Sequence, residues 1–409
     1  MTSSPPRDAE VGEDRLVVLG DIRALELPGD VATRYCGRLL ARLGADVAVQ
    51  TGANGGDFSR GTTPEAGAAY GHWLDAGKRT IRLPLAGAAT AAAVADDDAG
   101  FDVVIAGLDP ATVAAGEALA GRLEPSPAML VAISWFSRGG PYEDWTGNDA
   151  LIEAVNGSAY SFGPSQGPPL LAQGHAPQLI AGANVCNVTL AALLNGDPSR
   201  RPRRIDIDVL ESSLCLSEVA AVSAIDDPSL SSRRLGVNRF SPTYPCSSYE
   251  TGDGWVGVTC LTPPQWEALC ELIGRTDLGS DPRLRSAYRR LMRADEVDAA
   301  LVPAFSARTT GEWVSEGLAR RIPIVGIPRP GELPGLPHWR RRGAFEPLGG
   351  AAVLAPTFPF RVTDRDAVRS ARPTAAAGAP LAGVGSSTSR WAGRDRRRPG
   401  RWVTSAPTS

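Results

Sequence analysis

The residue types that most often carry chemistry are sparse in this chain, and their spacing narrows what they can do. Three histidines, His72, His175 and His338, stand far apart in 409 residues, too few and too scattered to build a metal centre. Six cysteines (Cys36, Cys186, Cys215, Cys246, Cys260 and Cys270) never form C-x-x-C. That pattern argues against both a zinc site and a disulfide framework. His175 has the most suggestive setting, the Gly/Pro-bounded loop GPPLLAQGHAPQLIAG at 167–182. A loop of this kind running into a helix N-terminus can offer backbone N–H groups to an anion or a carbonyl oxygen. On local sequence alone, the reading as an ordered turn that feeds a helix is the favoured one. Gly139–Gly140 and Gly147–Asp149 are further turn signals, and loop geometry accounts for them. A G-x-G-x-x-G match at Gly252, Gly254 and Gly257 lacks the following helix that a dinucleotide loop requires. No Walker loop, H-E-x-x-H or G-x-S-x-G is present.

The elements that must position these groups read as α/β. Arg15–Leu19 (RLVVL) has strand character, and Asp30–Leu43 spaces Val31, Tyr35, Leu39 and Leu43 as a helix with Asp30 as N-cap. After Gly44, Ala45–Val49 returns to strand, which begins a parallel sheet. Phe101–Ala106, Met129–Ser134 and Arg204–Val209 read as further strands, and Leu85–Ala95 and Ile180–Leu194 as helices. The texture changes after Glu211, and Ala224–Ser241 is polar enough for a linker. A second unit follows: a hairpin of Tyr249–Glu250 and Trp255–Thr259, with Asp253–Gly254 supplying the positive φ of a tight turn. A helix at Gln265–Ile273 comes next. Thr309 and Glu312 then form a capping-box pattern before another helix, and Ile322–Ile327 is a strand.

Composition sets the outer bounds. Hydrophobic residues make 43% of the chain, and the net charge is -3. Such a chain can bury a core for two lobes and carries no footprint for nucleic acid or an anionic membrane. Met1–Asp14 is polar and reads as a disordered start with no signal peptide, and no run approaches 18 apolar residues, so the expected compartment is the cytoplasm.

Seven segments in order resemble the family III CoA-transferases, the CaiB/BaiF group with formyl-CoA transferase, carnitine CoA-transferase and acyl-CoA racemases. They are CGRLLARLGADV (36–47), GGDFSR (55–60), AGKRTIRLPL (76–85), SWFSRGGPYEDWTGNDALIEAVNG (134–157), PPLLAQGHAPQLIAG (168–182), YPCSSYETGDGWVGV (244–258) and GEWVSEGLARRIPIVGI (311–327). The resemblance runs from about Leu16 to Arg372. It implies an α/β fold with a large Rossmann-like domain built from both chain ends (15–212 and 331–372). A linker at 213–240 and a smaller inserted α/β domain at 241–330 complete it, with a tail from 373, and two chains interlock as a dimer. It also implies acyl-CoA and carboxylate as substrates, no metal, and a ping-pong reaction in which an aspartate attacks the thioester.

The position of that aspartate, in D-x-x-A-G, is Gln178 here. The racemase histidine of G-H-D corresponds to Asn148, beside Asp149. The positions implied for CoA are Arg60, Lys78, Arg79, Gly107 and Arg138. The loop AGLDP at 106–110 puts Asp109 where the family has a positive residue, which would repel phosphate, and Gln50 replaces a glutamate. The leading expectation is therefore a family III unit without its own nucleophile, paired with an Asp-bearing half as a homodimer or heterodimer. The alternatives are a diverged acyl-CoA-binding protein, or an enzyme using the pocket for dehydration, isomerisation or condensation with His175 or Asp149 as acid–base group. PLAGV at 380–384 resembles the opening of another family III domain, and the following codons can be read in a shifted frame as its continuation. The Arg-rich end from Ser386 is then expected to be an unselected tail.

Overall fold

The computed structural model describes residues 18–50, 64–81, 100–122, 128–194, 201–217, 222, 234–240, 242–348 and 354–359. Arg60, the alanine-rich stretch 85–95, most of the linker and everything after 359 lie outside them.

Six short strands form one parallel sheet: β1 (Arg23–Glu26), β2 (Asp46–Gln50), β3 (Arg79–Ile81), β4 (Val103–Gly107), β5 (Met129–Ser134) and β6 (Arg204–Asp208). Their order is β3-β2-β1-β4-β5-β6, and every neighbouring pair runs parallel. A parallel sheet must be covered on both faces, so its central strands β4 (VVIAG) and β5 (MLVAIS) are nearly continuous apolar runs. Alternate residues serve alternate faces. Val103, Ile105, Val131 and Ile133 join the core on one face, and Val104, Ala106, Leu130 and Ala132 the core on the other.

The first face is closed by α1 (Val31–Arg42), following β1, and by the late helix Ala176–Leu193; α2 (Pro64–Asp75) follows β2. On the second face α3 (Pro110–Ala120) buries Leu119 and Ala120. Two more helices matter for the site: α4 (Asp149–Val155), and α5, the helix Ala176–Leu193 just named. Among the described residues α5 is long and apolar enough to cross a membrane by length and composition, with half of it buried. The sequence contains no unbroken apolar run there, because Gln178, Asn184 and Asn187 interrupt it.

Of the run expected as the first strand, Arg15–Val17 lie outside the described residues; Val18 and Leu19 form a bend, and the first described strand is Arg23–Glu26. RLVVL is the more apolar run, but RALE holds the central register between β2 and β4. There Glu26 is fully buried against Lys78, a pairing invisible to local propensity.

A separate antiparallel sheet follows, β7 (Cys246–Glu250), β8 (Trp255–Thr259) and β9 (Ile324–Gly326), with its own core around Trp266, Phe305 and Trp313. Gly252, Gly254 and Gly257 lie in its hairpin and not before a helix, as the motif argument requires. The turn is not the expected one, since neither Asp253 nor Gly254 has positive φ. Thr251 N–H closes it on the Gly254 carbonyl at 2.9 Å. Asp253 Oδ1 accepts the Thr310 N–H at 2.7 Å, at the start of helix Thr310–Ala319. The Thr309/Glu312 capping box forms as read. Beyond it, β10 (Phe345–Pro347) and β11 (Leu354–Pro356) pair, and Glu346 meets Arg42 of α1 at 2.6 Å. All six cysteines are free.

Candidate active site

In an open parallel sheet, ligands sit beyond the carboxyl ends of the strands, where the strand order reverses. Here that point lies between β1 and β4. The turn after β1 delivers the N-terminus of α1, and β4 ends at the buried Gly107. A Cβ on Gly107 would come within 2.6 Å of Thr33 Oγ1, so only glycine lets α1 approach this strand end. The same logic applies on α5. A Cβ on Gly182 would stand 2.6 Å from the Ala32 carbonyl oxygen, so that glycine lets α5 lie directly on the first turn of α1.

That contact brings the first turn of α5 to the same place. His175 is its N-cap residue and makes no capping bond of its own. The orphan N–H groups of a helix start need an outside acceptor, and Asp149 supplies it. Its Oδ1 accepts the Gln178 backbone N–H at 3.3 Å. Its Oδ2 accepts Gln178 Nε2 at 2.8 Å and pairs with His175 Nδ1 at 2.9 Å. The carboxylate also complements the positive end of the α5 dipole. Asp149 is itself held by the start of α4, where Asn148 Oδ1 accepts the Leu151 N–H at 2.9 Å.

Gln178, 4% exposed, is bound at both ends of its amide. Nε2 donates to Asp149, and Oε1 accepts the Ala32 N–H at 3.3 Å. It therefore ties α5, α4 and α1 together. His175 is placed differently. Its side chain is 38% exposed against 13% for Asp149, and Tyr70 of α2 stacks on its ring at 5.9 Å and 16°. The hydrogen bond to Asp149 raises the His175 pKa from its ordinary value, burial opposes that, and Asp30 adds to the rise. Burial pushes the Tyr70 hydroxyl up to about 12.

His175, Asp149, Gln178 and Asn148 are thus brought together. The expected CoA positions are dispersed. Lys78 is no surface charge: its side chain is fully buried, with Nζ 2.7 Å from Glu26 Oε2, 2.9 Å from the Arg34 carbonyl and 3.3 Å from Asp75. That lysine neutralises a carboxylate stranded on the central strand, and burial still raises the Glu26 pKa. Arg79 pairs with Asp46 at 2.9 Å at the start of β2, at the amino edge of the sheet, away from the strands' carboxyl ends. Asp109 is spent as the N-cap of α3, accepting the Thr112 N–H at 3.1 Å. Arg138 is exposed on the loop after β5, and Gln50 is buried at the end of β2. Tyr70 is the site residue that the sequence did not flag, and Asp30 was read only as the N-cap of α1. The packing of α1 and α2 brings both to His175.

Among the described residues no group of three His, Cys, Asp or Glu could hold a metal ion. The dyad has the geometry for proton transfer: Nδ1 faces the carboxylate, which leaves Nε2 as the acceptor of the neutral ring.

Residues 19–378 match the family described as CoA-transferase family III. The beta subunit of a succinyl-CoA–L-malate CoA-transferase from Chloroflexus aurantiacus is 26% identical over 325 residues, covering 77% of this chain and 80% of the relative. The alpha subunit of the enzyme of that name from Chloroflexus aurantiacus is 24% identical over 374 residues, covering 88% and 86%. Among solved structures, a CAIB/BAIF family protein from Brucella suis superposes with a TM-score of 0.72 at 21% identity. That superposition covers 85% of this chain and 93% of the other, and it supports the fold.

Proposed function

The chain belongs to CoA-transferase family III, and from that premise we propose that it is a family III unit that takes up an acyl-CoA and a carboxylate but lacks the nucleophile for transfer. The aspartate-bearing half of a pair supplies the covalent step. One observation carries this reading: the amide at the nucleophile's place is buried and bonded at both ends, to Asp149 and to the Ala32 N–H. A carboxylate there could attack a thioester carbonyl and form an anhydride. An amide nitrogen has its lone pair delocalised into the carbonyl and cannot. Gln178 instead acts as a strut that keeps the three helices in register.

Similarity to both an alpha and a beta subunit of a CoA-transferase supports a paired arrangement. We read the chain as a large body (15–212 and 331–372) carrying a smaller inserted domain (241–330). The separate sheets and the Arg42–Glu346 ion pair across 304 residues favour that division. Gly107, at the strand end, and the exposed Arg138 are the positions offered to CoA.

The test is CoA exchange by the purified chain between succinyl-CoA and free carboxylates such as malate. No exchange is expected from the chain alone, and Gln178→Asp should create it. Turnover by the unaltered chain that persists in Gln178→Ala would refute the reading.

A further inference from the structure

The network that immobilises Gln178 leaves His175 in a different condition. Its Nδ1 faces Asp149 at 2.9 Å, so the neutral ring carries its proton there and presents Nε2 as a base. Asp149 cannot swing away, because the Gln178 side chain and backbone hold its two oxygens from the other side. Tyr70 covers a face of the ring. This is the arrangement of an imidazole base and its orienting carboxylate. Among the described residues no serine, threonine or cysteine hydroxyl or thiol is bonded to His175, so the nucleophile left for this base is water.

We propose that the chain hydrolyses acyl-CoA thioesters, with His175 as general base on a water molecule and Asp149 as its positioning residue. The inference rests on the reading that this site takes an acyl-CoA. The water oxygen bonds to the thioester carbonyl carbon while its proton passes to His175 Nε2. The tetrahedral intermediate collapses by breaking the C–S bond, and Nε2 returns the proton to the departing CoA sulfur. The products are free CoA and a carboxylic acid, and no oxidant, metal or second substrate enters the balance.

The groups facing His175 are Asp149 from α4, Asp30 from the turn before α1, and Tyr70 from α2. Both carboxylates favour the imidazolium. Activity therefore rises with pH as His175 loses its proton, with a midpoint above the ordinary histidine value. Tyr70 stays neutral throughout that range.

The experiment uses the full chain with acetyl-CoA and succinyl-CoA and no acceptor carboxylate. Thiol release is followed with a thiol reagent, and the acid is collected from ¹⁸O-labelled water. Thiol release with one labelled oxygen per acid is expected, falling at least about 10²-fold in His175→Ala, the usual contribution of a general base. Asp149→Asn should lower the rate and move the pH midpoint down, because the imidazolium loses its partner; a merely structural role would leave the midpoint in place. His175→Gln serves as a second variant should the alanine protein unfold, and must lose the same activity. Binding of a non-hydrolysable thioether analogue separates the two readings. If the unaltered chain fails to bind it, the acyl-CoA reading falls and this proposal with it. If it binds but releases no thiol, or if release persists in both His175 variants, hydrolysis alone is overturned. Solvent deuterium entering the acyl α-carbon without thiol release overturns it too, in favour of carbon-acid chemistry.

Discussion

His175 and Gln178 stand three residues apart on one helix start, and burial separates their roles. Gln178 is buried and bonded at both ends of its amide, so its effect is on architecture. His175 keeps an open edge, so its state depends on pH. The hydrogen bond to Asp149 raises the His175 pKa in the folded chain, so the folded state binds that proton more tightly than the unfolded state does. The stabilisation is then complete below the unfolded value of roughly 6.5 and is lost as pH rises through the higher folded value. Thermal unfolding of His175→Ala should accordingly fall further below the unaltered chain at about pH 5.5 than at about pH 9. Equal shifts at both values would mean that the pair holds no net charge interaction. The ring is too exposed for that effect to be large. Lys78 teaches the opposite lesson at the same scale. The resemblance implies it as a CoA position, yet its ammonium is paired with the buried Glu26. That partner lies 52 residues away, beyond the reach of any local reading.

At the scale of elements, the site exists because α5 rests on α1 at Gly182. The Ala32 carbonyl leaves no room for a methyl group there, and backbone at a helix start cannot yield cheaply. Gly182→Ala should destabilise by about 1–3 kcal/mol, the usual range for overpacking. It should also lengthen the Ala32–Gln178 hydrogen bond. Denaturant unfolding measures the first effect, and a midpoint unchanged from the parent would contradict the close approach. How much of this was legible varies with the range of the cause. Met129–Ser134 was read to the residue, because a fully buried parallel strand is a short apolar run bounded by turn signals. The capping box at Thr309 and Glu312 was equally plain, since its partners are three apart. The first described strand was not read, because its place depends on sheet register and on a buried ion pair. For the site, the loop around His175 was visible as a glycine-rich approach to a helix. Its bond to Asp149, 26 residues earlier, was not.

For the whole molecule, the segment that leads into His175 carries an unusual surface. Tyr160, Phe162, Leu170 and Leu171 are all about half exposed, and the Leu170 N–H on the Phe162 carbonyl at 3.1 Å brings the two stretches of chain side by side. Single exposed apolar residues are normal on any protein, but contiguous large ones mark a contact surface. The patch ends four residues before His175, and Glu153 of α4 clasps its end by accepting the Ala172 N–H at 2.8 Å. A chain docked on this face would therefore bear on the same α4 that presents Asp149. That coupling fits a unit completed by a second chain, either a copy of itself or an aspartate-bearing half. Light scattering of the purified protein should give twice the mass of one chain. Phe162→Asp together with Leu170→Asp should return it to a single chain while the far-ultraviolet circular dichroism stays unchanged, because these side chains are exposed within the protomer. A double variant that keeps the mass of two chains would place the interface elsewhere. Should the unaltered chain run as a monomer, co-expression with a family III chain bearing D-x-x-A-G should capture it, and the double variant should break that complex.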